Sequence, residues 1–185
     1  MPDSDALTVS GTLQVEDVIR FTYYHQFRRS RLGPIMVIGM ILMAAAALIL
    51  RLLQHEADPE RLSLEVVVIP ALWAAVMIAY PYFQARRQFA KVESLRRPAE
   101  YRIDRSQLQC DGFGSSGQML WNRVDSVRET GSAFLVYLSP YVAWVIPKRF
   151  FDSQLEEVER FRQMAALQLA KPGLFKRPRR LDRFL

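Results

Sequence analysis

Apolar residues gather in two uninterrupted runs, and after them the rhythm of the chain changes. "LGPIMVIGMILMAAAALIL", Leu32 to Leu50, holds 19 residues without a charge, and "VVVIPALWAAVMIAYPYF", Val66 to Phe83, holds 18 more. From Ala99 onward apolar positions recur every second residue, in short runs separated by turn residues. At about 1.5 Å per helical residue each long run covers about 27–29 Å, close to the hydrocarbon core of about 30 Å. A helix buried on all sides in a soluble protein needs a large protein around it, and the remaining chain is small and charged. The pattern therefore predicts two transmembrane helices followed by a β-rich domain.

Flanking charge orients this expectation. Arg28, Arg29 and Arg31 precede the first run, and Arg86, Arg87, Lys91, Arg96 and Arg97 follow the second. The connection between them carries Glu56, Asp58, Glu60 and Glu65 against two arginines. Basic residues are retained on the cytoplasmic side, which predicts a bacterial inner-membrane protein with both termini cytoplasmic and an acidic external loop. The expected segments are 1–31, an N-terminal part with a juxtamembrane helix; 32–50, the first span; 51–65, the external loop; and 66–84, the second span. A basic linker over 85–98, a β-domain with a closing helix over 99–170 and a basic tail over 171–185 complete the chain. Ala71, Ala75 and Ala79 recur every four residues, a small-residue face suited to close helix packing.

Within the β-rich part, "EYRIDRSQLQCDG" predicts two strands around a turn at Asp104–Ser106. "QMLWNRVDSVRET", "AFLVYLS" and "YVAWVIP" add further strands. "DSQLEEVERFRQMAALQLA" predicts an amphipathic helix with Leu155, Val158, Phe161, Ala165 and Leu169 on its apolar face. Trp121 is expected to point inward; the opposite phase would bury Leu120, Asn122 and Val124 together. The fold expected is membrane α+β: a two-helix transmembrane hairpin plus a small antiparallel β-domain closed by a C-terminal helix.

A net charge of +6 and a pI near 9.8 raise the question of nucleic acid. Residues 86–185 carry 19 basic and 11 acidic side chains, with much of the excess beside the predicted spans or in the final segment. The partner this implies is an anionic leaflet, with no nucleic acid. Lys148 and Arg149 at the end of the last strand, and Lys176, Arg177, Arg179 and Arg180 in the tail, are the candidate headgroup contacts. For Lys148 and Arg149 a purely structural role in the turn after Pro147 is the favoured reading, because proline ends a strand ladder.

Enzyme signals are empty. "GFGSSG", Gly112 to Gly117, matches the dinucleotide-binding pattern, but a strand and no helix follows it. His25 and His55 fall on opposite sides of the predicted membrane, and Cys110 is alone. No catalytic, cofactor-binding or metal-binding constellation is expected, and no cofactor.

The succession of two apolar runs, then Tyr101 and Ile103, a glycine-rich hairpin, Trp121 and Val124, Phe134, Tyr137 and Leu138, and finally Ile146-Pro147-Lys148-Arg149-Phe150 before a helix resembles the YcxB-like family of bacterial membrane proteins. The resemblance runs from about Leu7 to Leu169. It implies a C-terminal domain like a pleckstrin-homology (PH-like) domain and a membrane location, and it brings no activity or catalytic residue. The expected function is a membrane-tethered cytoplasmic interaction module that binds a protein partner or the leaflet, with a membrane protein partner or a homo-oligomer in view. The alternative is an accessory subunit of a transport or envelope-maintenance complex. The chain is not expected to be an enzyme.

Overall fold

The computed structural model describes residues 6–29, 32–53, 68–112, 115–152, 154–169 and 174–177. They fall into two compact units, one built from residues 1–21 and 88–185 and the other from 22–87.

The larger unit holds two four-stranded sheets. In the first, β1 (Leu7–Gly11), β2 (Ala99–Ile103), β3 (Gln107–Gly112) and β4 (Ser115–Leu120) follow one another in antiparallel order. The second is ordered β7 (Ala143–Pro147), β6 (Ala133–Tyr137), β5 (Ser126–Glu129), β8 (Phe175–Lys176); only the β5–β8 pair is parallel. Alternation sets the buried faces. In β1 and β2 every second residue is buried, so Leu7, Val9, Tyr101 and Ile103 point inward while Thr8, Ser10, Glu100 and Arg102 stay outside. β6 is different: all five residues are buried, as expected of a strand covered on both faces. Phe134 and Val136 enter the core between the sheets. On the opposite face, Leu135 and Val145 border a small gap closed by Asp17, Arg20 and Phe21 of helix α1 (Val15–Tyr24).

Helix α4 (Gln154–Gln168) seals the core. Val158, Phe161, Ala165 and the following Leu169 are buried at helical spacing, and the Phe161 ring lies 4.5 Å from that of Phe134 and 6.0 Å from that of Phe151. Leu155, expected on this face, is 89% exposed: the stripe begins one turn later, at Val158. Trp121 is buried, but not as a strand residue. Trp121–Arg123 form a 3₁₀ turn, so the spacing of buried positions shifts from two to three, and Trp121 and Val124 go in together while Leu120 stays 44% exposed. The indole Nε1–H donates to Asp104 O at 2.8 Å, which ties this turn to the β2–β3 hairpin.

The smaller unit contains the end of α1, a π-helical turn at His25–Arg29, helix α2 (Leu32–Leu53) and most of helix α3 (Ile69–Lys91). Here the expectation of two transmembrane spans is corrected. Among the described residues no helix is long and apolar enough to cross a membrane. α3 starts at Ile69 and continues through Gln84, Arg86, Arg87 and Lys91, so its apolar part, Ile69–Phe83, has 15 residues. That is about 22 Å of helix against a core of about 30 Å. A charge-free stretch of sequence and the apolar length of a helix are different quantities, and only the second sets a span. The membrane and transmembrane assignments, the inner-membrane location with cytoplasmic termini, and the hairpin-plus-domain fold built on them are therefore replaced by an α+β chain with two sheets. The proposed external loop lies outside the described residues beyond Leu53.

α3 also passes through Pro81. A proline inside a helix leaves the carbonyl four residues before it without a helical donor. Beside that break the Tyr23 hydroxyl donates to Ile78 O at 2.7 Å, and the Tyr23 and Phe27 rings stack 5.9 Å apart.

Candidate functional site

The buried carboxylates Asp17 and Glu129 of the larger unit are both paired from the turn after β7. Pro147 ends the strand, and Lys148–Phe150 form a 3₁₀ turn that leads to Phe151 and α4. The Lys148 backbone N–H donates to Ser132 O at 2.8 Å, which straps the turn to the β5–β6 hairpin. That hairpin is itself fixed by Thr130, whose Oγ1 accepts from the Ala133 N–H at 3.0 Å.

Lys148 and Arg149 then turn to opposite sides. The Lys148 ammonium donates to Glu129 Oε1 at 2.7 Å and to Thr130 O at 2.8 Å, and lies 5.4 Å from the centre of the Phe134 ring. Arg162 of α4 completes the arrangement: Nε donates to Glu129 Oε2 at 3.0 Å and Nη2 to Oε1 at 2.6 Å, while Nη1 reaches Glu159 Oε2 at 2.7 Å. Glu129 is 2% exposed. Burial alone raises its carboxyl pKa, but the hydrogen bonds and charges of Arg162 and Lys148 outweigh burial and hold it below the ordinary carboxylate value. Arg162 is held above its ordinary value, chiefly by the bonds to Glu129.

Arg149 forms a fork on Asp17, with Nη1 to Oδ1 at 2.7 Å and Nη2 to Oδ2 at 2.6 Å, and Nη2 also reaches Thr12 O at 2.9 Å. Asp17 in turn accepts from the Gln14 N–H at 2.8 Å, so one carboxylate caps the start of α1 and receives the guanidinium. The hydrogen bonds to Asp17 raise the pKa of Arg149. The two adjacent cations therefore clamp two buried carboxylates from distant parts of the chain. Sequence spacing carries no trace of this, because the partners lie 19 and 132 residues away.

The remaining candidate residues are scattered. Lys176 lies in β8 and Arg177 follows it, 4.0 Å from Glu159; both are exposed, and Arg179 and Arg180 lie outside the described residues. In the smaller unit Ala71 joins Pro70 and Ala74 of α3, and Ala44, Ala45 and Leu48 of α2, around an apolar groove of about 280 Å³. Ala75 is exposed and Ala79 half-buried, so Ala74 takes the place in the groove that the four-residue spacing gave to Ala75.

Chemistry-bearing groups elsewhere are spent on structure. Cys110 pairs across β2–β3 with Tyr101, and burial pushes its thiol up to about 11. The Tyr101 phenol, also raised by burial, donates to Val145 O at 3.1 Å. Asp104, although burial acts the other way, is held low by bonds from Ser106 and Gln107, which close the β2–β3 turn. Among the described residues no group of three or more His, Cys, Asp or Glu side chains is placed to hold a metal ion.

Residues 103–165 match the family model of YcxB-like proteins. Over that stretch the chain is YcxB-like. The YcxB-like region runs from the last residue of β2 into α4, narrower than the Leu7–Leu169 span over which the sequence elements follow one another. It contains Glu129, Lys148, Arg149 and Arg162, whereas Asp17 and all of β1 lie outside it. Comparison with curated proteins and with solved structures finds no match to this chain.

Proposed function

We propose that the chain is an interaction module that works by binding rather than catalysis, with its helical unit as the docking element. One observation carries this reading. Among the described residues between Ile35 and Phe83, sixteen large hydrophobic side chains are exposed by 37–71%, on α2, on α3 and at Val68 just before it. Exposed apolar patches on a typical monomer reach about 300–600 Å², and larger ones mark interaction surfaces. A helix apolar all round cannot satisfy itself within a two-helix hairpin, because each helix covers only one stripe of the other.

The occupant is a second copy of the chain. The groove floored by Ala44, Ala45, Ala71 and Ala74 is shallow and apolar, and the same helices carry bulky exposed ridges, among them Leu42, Trp73 and Val76. A surface that holds both groove and ridge is self-complementary, the requirement for a two-fold interface. Lys148 and Arg149 do not favour a headgroup reading, since each is committed to a buried carboxylate.

Sedimentation of the full chain over a range of concentrations tests the proposal. Association is expected, and Ile41→Glu with Trp73→Glu should abolish it while the melting of the β-rich unit stays unchanged. A wild-type chain that is monomeric at every concentration, or a double variant that associates as before, would overturn it.

A further inference from the structure

We propose that Leu174–Arg177 is a self-supplied ligand on a peptide-docking edge formed by β5. The natural occupant is an extended segment of a partner protein with the same order: an aliphatic residue, an aromatic, then two basic residues. This surface is separate from the helical face, so the proposal does not rest on self-association.

β5 is paired along its whole length by β6 on one side. On the other side, among the described residues, β8 covers it, parallel, with Val127 opposite Phe175 and Arg128 opposite Lys176. The Val127 N–H donates to Leu174 O at 3.1 Å. The side chains divide by role: Leu174 and Phe175 are half-buried against the core, while Lys176 and Arg177 face outward, with Arg177 near Glu159. Backbone pairing, apolar anchors at adjacent positions and a charged exit are the components of strand addition to an open sheet edge. The sequence keeps the segment short. Pro172 and Gly173 precede it and Pro178, which has no N–H to donate, follows it. A two-residue ladder is too brief to be a permanent edge strand, and without it β5 presents unpaired backbone groups to any extended chain.

The test uses a fluorescent peptide with the sequence of Lys171–Arg180, read by anisotropy in 0.5 M salt so that charge alone is screened. A chain ending at Lys171 should bind it at least ten-fold more tightly than the full chain. A peptide carrying L174D and F175D should bind that shortened chain at least ten-fold more weakly. In the full chain, the same two substitutions should speed hydrogen exchange of the Val127 amide at least ten-fold and leave the Phe134 amide unchanged. Equal binding by the two chains, or by the two peptides, would overturn the proposal. So would a shortened chain that fails to fold, or a Val127 amide in the full chain as protected as that of Phe134, since either makes β8 a fixed part of the sheet.

Discussion

The two units use similar apolar residues to opposite ends. Among the described residues, the β-rich unit exposes six large hydrophobics, Val92, Leu120, Tyr141, Val142, Leu155 and Leu167, and the helical unit sixteen. The difference lies in patterning. β1 and β2 alternate polar and apolar positions, and α4 keeps one apolar stripe, so each element has an inside and an outside. α2 and the first part of α3 have no polar face, so whatever touches them meets an apolar surface. Polar groups follow the same division. The β-rich unit buries Asp17 and Glu129 and supplies each with cations at hydrogen-bond distance.

The sharpest way to break this comparison is to remove a ring from the closed core. Phe161→Ala should cost about 3–5 kcal/mol and lower the thermal midpoint of the β-rich unit by many degrees. An unchanged melt would show that α4 does not seal the core.

The second test concerns the carboxylate under Lys148. Glu129→Gln keeps the shape but leaves two cations without their anion, with an expected loss of about 1–3 kcal/mol. Because the folded carboxyl pKa lies below its ordinary value, this stabilisation is complete above that ordinary value, 4.5. It is lost as pH falls through the lower folded value, when the carboxylate takes up a proton. In acid titrations of stability, wild type should therefore lose ground to Glu129→Gln below about pH 4.5. Parallel curves would remove the network from the account.

Arg149→Ala should cost less, about 1 kcal/mol, since the guanidinium is partly exposed and screened while Asp17 retains its bond from Gln14. Its signature is local: faster hydrogen exchange in the first turn of α1 than in β6. The smallest effect belongs to Leu155→Ala, within about 0.5 kcal/mol by urea titration. A larger loss there would mean that the apolar stripe of α4 starts earlier than Val158.

Much of the β-rich unit was legible because its determinants are local. The turn at Asp104–Ser106 shows itself as an aspartate followed two residues later by a serine, and Val158, Phe161 and Ala165 announce a helix by spacing alone. What was missed depends on partners far away in sequence. β1 pairs with β2 across about ninety residues of intervening chain, and nothing in "LTVSG" names its neighbour. Trp121 was assigned to the inside correctly but to the wrong backbone, since a three-residue 3₁₀ turn leaves too little periodicity to read. At the second run the membrane reading failed because an apolar run does not fix the bounds of a helix: α3 starts at Ile69 and runs on through Arg86, Arg87 and Lys91. The basic pair offers itself as a headgroup contact because two adjacent cations look alike on paper until their carboxylates are located.

Cys110 gives these contrasts a built-in clock. The chain has one cysteine, 4% exposed on β3, with its thiol held in the unreactive protonated form by burial. An alkylating reagent can reach it only when the sheet around β3 opens, so the labelling rate counts openings of the β-rich unit and nothing else in the molecule. Substitutions in α2 should leave that rate unchanged, Phe161→Ala should raise it steeply, and no engineered labelling site is needed to read it.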